Sequence, residues 1–134
     1  MQKDDSKAHA QFLRNALAEK DIVLKSKGTQ RRTYCYVFDA VSGLLAVLFN
    51  GKSGESYNVA NDKSIATIAE VAQTIAELSG TKVVFDLPDE VESKGFSKPQ
   101  NCVLNTEKIK ALGWSGKYDL KHGISETLEI LREM

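Results

Sequence analysis

Residues 39–49 place Val41, Leu44, Leu45, Val47 and Leu48 in one short span that closes on Asn50-Gly51. Asn-Gly is a common helix stop. A helix this apolar cannot be solvated on every side and needs a neighbour. A second helix makes the same demand. Thr67-Ile68-Ala69-Glu70 is a capping box, in which hydroxyl and carboxylate satisfy the first free amides. Ile68, Val71, Ala72 and Ile75 then follow at helical spacing, and Ser79-Gly80 ends the run.

The remaining segments make the chain a mixed α/β protein. Residues 5–19 read as a helix with Phe12, Leu13, Ala16 and Leu17 on one stripe. Ile22-Val23-Leu24, Tyr34 to Val37, Ser56 to Val59 and Lys82 to Leu87 read as short strands. Residues 89–101 carry charges, Gly95 and Pro99 without periodicity, and read as a loop of functional length. Residues 105–111 form a short helix, and Asp119 caps a last one with Leu120, Ile124, Leu128 and Leu131 inward.

A length of 134 residues fits one domain, residues 1–134. Eighteen basic and eighteen acidic side chains cancel, which argues against a general nucleic-acid binder. No apolar run is long enough for a membrane span. The polar start Met1-Gln2-Lys3-Asp4-Asp5 has no signal-peptide core. Cys35 and Cys102 match no metal spacing and read as buried, reduced thiols of a cytoplasmic protein. His9 and His122 read as helix-surface residues, so no metal site is expected.

Gly28-Thr29-Gln30-Arg31-Arg32 is a glycine turn bearing two guanidinium groups. Arginines held beside a strand can grip phosphate or carboxylate with paired donors. From the residues alone the segment is either an anion-binding element or a pair of solvated arginines in a hairpin.

The arginine turn, Asp39 with its apolar helix, Gly54-Glu55-Ser56-Tyr57-Asn58-Val59-Ala60-Asn61, the helix from Thr67, and Leu112-Gly113-Trp114 occur in a set order. Together they resemble the C-terminal, substrate-binding half of the extended short-chain dehydrogenase/reductases. These are NAD-dependent epimerases and dehydratases of nucleotide sugars. The resemblance runs from about Asp5 to Arg132. Two family features are missing. None of the nine glycines falls in a GxGxxG arrangement. Tyr34, Tyr36, Tyr57 and Tyr118 are followed four residues on by Phe38, Ala40, Asn61 and His122, so no Tyr-x-x-x-Lys pair exists.

The resemblance implies a small α/β substrate-binding lobe without its N-terminal Rossmann domain, and assigns roles by position. Arg32, four residues before Tyr36, matches the arginine that contacts the nucleotide diphosphate. Val23, Leu24 and Lys25 align with the strand flanking the base, though Ile22 and Leu24 read equally as core. Phe12 lies on the helix bordering the cleft and also on its helix's apolar stripe. Asn58 could reach a phosphate or satisfy backbone at its strand end. Where the family supplies a second arginine, this chain has Ser93 to Asn101 with Lys94 and Lys98, and Lys98 could stand in as a point charge. Asp39 reads as a cap for its own helix. Trp114 reads as a core anchor turned in by Gly113.

The chain is thus expected to hold a nucleoside-diphosphate sugar while a missing half binds NAD and performs the chemistry. No catalytic residue is assigned to it. In the resemblance several faces here pack against the nucleotide-binding half, so standing alone the chain should expose a large apolar patch and dimerise through it, exchange segments or aggregate. The alternative is a free-standing, non-catalytic binding or interaction module derived from the same family.

Overall fold

The computed structural model describes residues 7–87 and 101–134. These group into two compact units, here called the first and the second. The sequence helix at 5–19 is described from residue 7 onward, and the expected loop lies largely outside the described residues.

The first unit contains helix α1 (Ala8–Leu17), strand β1 (Ile22–Leu24), helix α3 (Ile68–Ser79) and strand β4 (Val83–Phe85). β1 and β4 pair in parallel, Ile22 opposite Val83 and Leu24 opposite Phe85. α1 packs on α3 and β1, and α3 on both strands. Ala10, Phe12, Ala16, Ile22, Leu24, Val71, Ala72, Ile75 and Ala76 are buried hydrophobic residues of this unit. Each fully buried large aliphatic side chain contributes about 1.5–3 kcal/mol of transfer free energy.

The capping box forms as read. Glu70 N–H donates to Thr67 Oγ1 at 3.1 Å, and Thr67 N–H donates to Glu70 Oε2 at 2.6 Å. Gly80 ends the helix at φ 71°, where glycine carries no Cβ penalty. Gly28 turns the chain at φ 63°; a Cβ there would lie 2.8 Å from the Ala69 nitrogen.

The second unit contains β2 (Arg31–Thr33), α2 (Val37–Asn50), most of β3 (Ile65–Thr67), α4 (Glu107–Lys110) and the first turn of α5 (Leu120–Glu133). β2 pairs with β3, and Arg32 forms a parallel bridge with Cys102. The strand expected at Tyr34 to Val37 therefore lies earlier, where Arg31 and Thr33 find backbone partners. Cys102 N–H donates to the Arg31 carbonyl at 2.8 Å, and Thr33 N–H to the Cys102 carbonyl at 3.3 Å. β3 has no counterpart in the sequence reading. Ser56 to Val59 is not in a strand, because no described segment supplies it with a ladder partner.

α2 begins at Val37, two residues before the expected cap, and no side chain caps it. The carboxylate of Asp39 is engaged elsewhere. Asp119 does cap as read: His122 N–H donates to its Oδ1 at 2.8 Å. On α5, Leu128 is 1% exposed, while Leu120, Ile124 and Leu131 are half-buried.

Candidate substrate-binding residues

Among the described residues, strand β1 pairs along one edge, with β4. Ile22 N–H donates to the Lys82 carbonyl, and the Leu24 carbonyl accepts from Asp86 N–H at 2.9 Å. In a parallel pair alternate residues face the neighbour. Val23 therefore aims its N–H and carbonyl away from β4, and no described backbone group meets them. Its side chain is 40% exposed, whereas Leu24 is 2% exposed. Leu24 is core, with its main chain spent on β4. Lys25 pairs with Asp86 on the surface. Phe12 is 5% exposed and belongs to the core of the first unit.

Arg32 lies exposed on β2, in the second unit. Its strand is pinned on two sides, by β3 and by the Cys102 segment. Arg31 N–H also donates to Asn101 Oδ1 at 3.0 Å. The Arg32 charge reaches the phenol of Tyr34. Burial pushes that hydroxyl above its ordinary value, and Arg32 offsets part of the rise. Asn58, also in the second unit, donates from Nδ2 to the Asn105 carbonyl at 2.9 Å. Of its two readings, the backbone-satisfying one is realised. Lys98 and Lys94 lie outside the described residues.

The second unit also holds a buried polar cluster. Asp39 is 2% exposed and Asn61 0%. Asp39 accepts from Lys117 N–H at 2.9 and 3.0 Å and from Tyr118 N–H at 3.0 Å. Asn61 Nδ2 donates to the Tyr118 carbonyl at 2.6 Å, and its Oδ1 accepts from Lys63 N–H at 3.0 Å. The cap reading of Asp39 is corrected on this point: its carboxylate holds a distant loop, not the amides of α2.

Trp114 is half-buried and donates from Nε1 to Ser42 Oγ at 2.9 Å, its ring beside Gly43. Gly113, at φ 84°, makes the turn that seats it. Tyr36, Phe38 and Tyr118 cluster, with the Tyr36 and Tyr118 rings 4.8 Å apart. Both cysteines are free thiols, but Cys102 is exposed and only Cys35 is half-buried, which corrects the expectation that both are inside. Burial, then the Asp39 carboxylate, pushes the Cys35 thiol up.

On the surface, Lys108 sits over the Tyr57 ring and pairs with Glu55, while Lys110 pairs with Asp62. The hydrogen bonds from these lysines hold both carboxyls below the usual range. Among the described residues no three His, Cys, Asp or Glu side chains group to hold a metal, and no helix is long and apolar enough to cross a membrane.

A dinucleotide needs a strand, a glycine turn and a helix N-terminus. Gly28, Gly54, Gly80 and Gly113 have positive φ. Gly80 ends a helix, Gly113 follows one, and none of the four opens one. Among the described residues, none of these glycine turns stands between a strand and a helix N-terminus as a dinucleotide needs.

The NAD dependent epimerase/dehydratase family profile matches residues 1–60. The dTDP-D-glucose 4,6-dehydratase of Homo sapiens is 33% identical over 113 residues, covering 82% of this chain and 32% of that protein. The UDP-glucuronic acid decarboxylase 5 of Arabidopsis thaliana is 30% identical over 125 residues, covering 90% and 34%. The structure of the Bordetella bronchiseptica enzyme WbmF in complex with NAD+ and UDP superposes with a TM-score of 0.74 at 26% identity, covering 95% of this chain and 36% of that one. The chain spans about a third of the length of these relatives. Within that span, sequence and fold agree, and the chain belongs to the NAD dependent epimerase/dehydratase family.

Proposed function

We propose that the chain is the substrate-holding portion of a nucleotide-sugar epimerase or dehydratase, inactive alone. Arg32 grips the diphosphate with paired donors. The outward N–H and carbonyl of Val23, with Leu24 and Lys25 beside it, meet the base. Phe12 supports that strand from the core, and Lys98 borders the phosphates. The complementary dinucleotide-binding half supplies NAD and the acid/base pair. This chain contributes positioning, which can account for a large share of a rate enhancement. Ser56 to Val59 has strand composition but makes no ladder among the described residues, which favours such a partner. The exposed face of α2 is where the chain meets a second copy. Two free thiols accord with a reducing, cytoplasmic setting.

The observation that carries the reading is an exposed arginine on a strand pinned from both sides, in a chain whose relatives bear the names of nucleotide-sugar enzymes. Calorimetric titration of the 134-residue chain with UDP and dTDP tests it. Binding that Arg32→Ala abolishes supports the anion grip; binding that ignores the substitution removes it. Turnover of a nucleotide sugar by this chain with added NAD would overturn the claim of inactivity.

A further inference from the structure

We infer that Thr33 and Asn101 are positioning residues for the anion grip: their side chains fix the register of residues 101–104 against β2, and through it the place at which Arg32 is presented. That role rests on the nucleotide reading above and adds to it two residues that act through Arg32.

Four hydrogen bonds join residues 101–104 to the residues on either side of Arg32. Two are main-chain bonds, from Cys102 N–H to the Arg31 carbonyl and from Thr33 N–H to the Cys102 carbonyl, and they set Cys102 opposite Arg32 in a parallel bridge. A regular parallel ladder would continue at both ends with evenly spaced main-chain bonds. Here a side chain takes the acceptor's place at each end. Arg31 N–H donates to Asn101 Oδ1 at 3.0 Å, and Leu104 N–H donates to Thr33 Oγ1 at 2.9 Å.

The substitution of side chain for main chain makes this pairing depend on residue type. Main-chain ladder bonds are the same in any register, so a short pairing without a specifying side chain is prone to slip. A slip of one residue would break both side-chain bonds. Strand propensity alone would accept Val or Ile at position 33 as well as Thr, and only Thr brings an acceptor. On the other edge β2 pairs with β3, and Tyr34 N–H donates to the Ser64 carbonyl at 2.9 Å. Arg32 is thus centred in a strand whose register is set from both sides. A guanidinium fork is directional, since two parallel donors must meet two oxygens at once. Slack in the main chain at 31–33 is therefore felt at the diphosphate, although neither Thr33 nor Asn101 need touch it.

Calorimetric titration of the 134-residue chain with UDP, joined to 15N relaxation of the Arg32 Nε–H, tests the inference. Thr33→Val keeps the shape and loses the acceptor; Asn101→Leu does the same at the other end. Each should weaken UDP binding by about tenfold and lower the order of the Arg32 Nε–H. Thr33→Ser keeps the hydroxyl and should bind as the parent does. On an Arg32→Lys background, where no fork forms, each variant should cost less than about twofold, a coupling that a purely structural role would not produce. UDP binding indifferent to both variants, a serine variant as weak as the valine one, or undiminished losses on the lysine background would overturn the positioning role and leave the nucleotide reading standing. A chain that binds no UDP would remove the nucleotide reading, and the Nε–H order then decides the positioning role by itself: lowered in both variants supports it, unchanged overturns it.

Discussion

Both carboxylate oxygens of Asp39 accept from the Lys117 N–H, at 2.9 and 3.0 Å, across 78 positions of sequence. A third bond, from Tyr118 N–H, reaches Oδ2. This carboxylate ties the first turn of α2 to the loop that leads into α5. Asp39→Ala should leave two backbone amides without their acceptor and destabilise the chain by about 3 kcal/mol. Asp39→Asn keeps one carbonyl oxygen and should cost less. Urea midpoints at unchanged slope would show it; an alanine variant within error of the parent would refute the role.

Asn61 and Gly116 are pressed together in the same cluster. A Cβ on Gly116 would lie 2.4 Å from Asn61 Cγ. Asn61 cannot swing away, because its amide holds Lys63 and Tyr118. Gly116→Ala should therefore cost about 1–3 kcal/mol through overpacking. Gly54→Ala is the control. Its Cβ would meet nothing within 4 Å, and only the φ of 80° opposes it, at about 1 kcal/mol. Thermal midpoints of the two variants should fall in that order.

How much was legible follows from how far each interaction reaches. The Thr67–Glu70 box was read correctly because both its bonds close within four residues. The Asp119 cap was legible for the same reason. The role of Asp39 was not, because its partners at 117 and 118 are brought near only by the fold. Ser56 to Val59 has strand composition, yet pairing requires a neighbour that composition does not supply. β3 was missed because Ile65-Ala66-Thr67 is too short to show a period and is defined by β2 alongside it. Among candidate site residues, Arg32 is exposed and Val23 lies on a strand paired along one edge among the described residues. The choice of Asn58 between phosphate and backbone was left open by sequence, and a carbonyl at Asn105 took it.

The capping box gives a local prediction. Thr67→Ala removes the acceptor of Glu70 N–H and keeps the backbone N–H that donates to the Glu70 carboxylate. The loss should be about 1 kcal/mol, the usual effect of an N-cap. Glu70→Gln should cost less, since an amide oxygen still accepts from Thr67 N–H. Equal losses in the two variants would mean the carboxylate's charge, and not the reciprocal bonds, stabilises this end.

Arg32 and Arg31 differ in what they can do for a diphosphate. In the proposed reading only Arg32 forks onto it. Arg32→Ala should weaken UDP binding on the order of a hundredfold, and Arg32→Lys on the order of tenfold, because an ammonium cannot make two parallel bonds. Arg31→Ala should weaken it less than either. Titrations at low and moderate salt would separate a forked contact from diffuse attraction, since only the latter is strongly screened. Equal effects at the two arginines would point to a general positive patch.

The chain should lose stability at alkaline pH through Cys35 and Tyr34. Burial holds both groups above their ordinary values in the folded state, and the Asp39 carboxylate adds to the effect at Cys35. In the unfolded chain they ionise from about 9.0 for the thiol and 10.0 for the phenol. The folded chain therefore keeps protons that the unfolded chain sheds. This contribution to stability is complete below pH 9.0 and shrinks as pH rises through the folded values. Thermal midpoints should hold steady from neutrality to that point and then drop. Cys35→Ala and Tyr34→Phe should each flatten the drop, and the double variant should flatten it further. A parent whose midpoint stays level beyond pH 10.0, or a double variant that falls as steeply as the parent, would show that these two groups do not govern the alkaline limb.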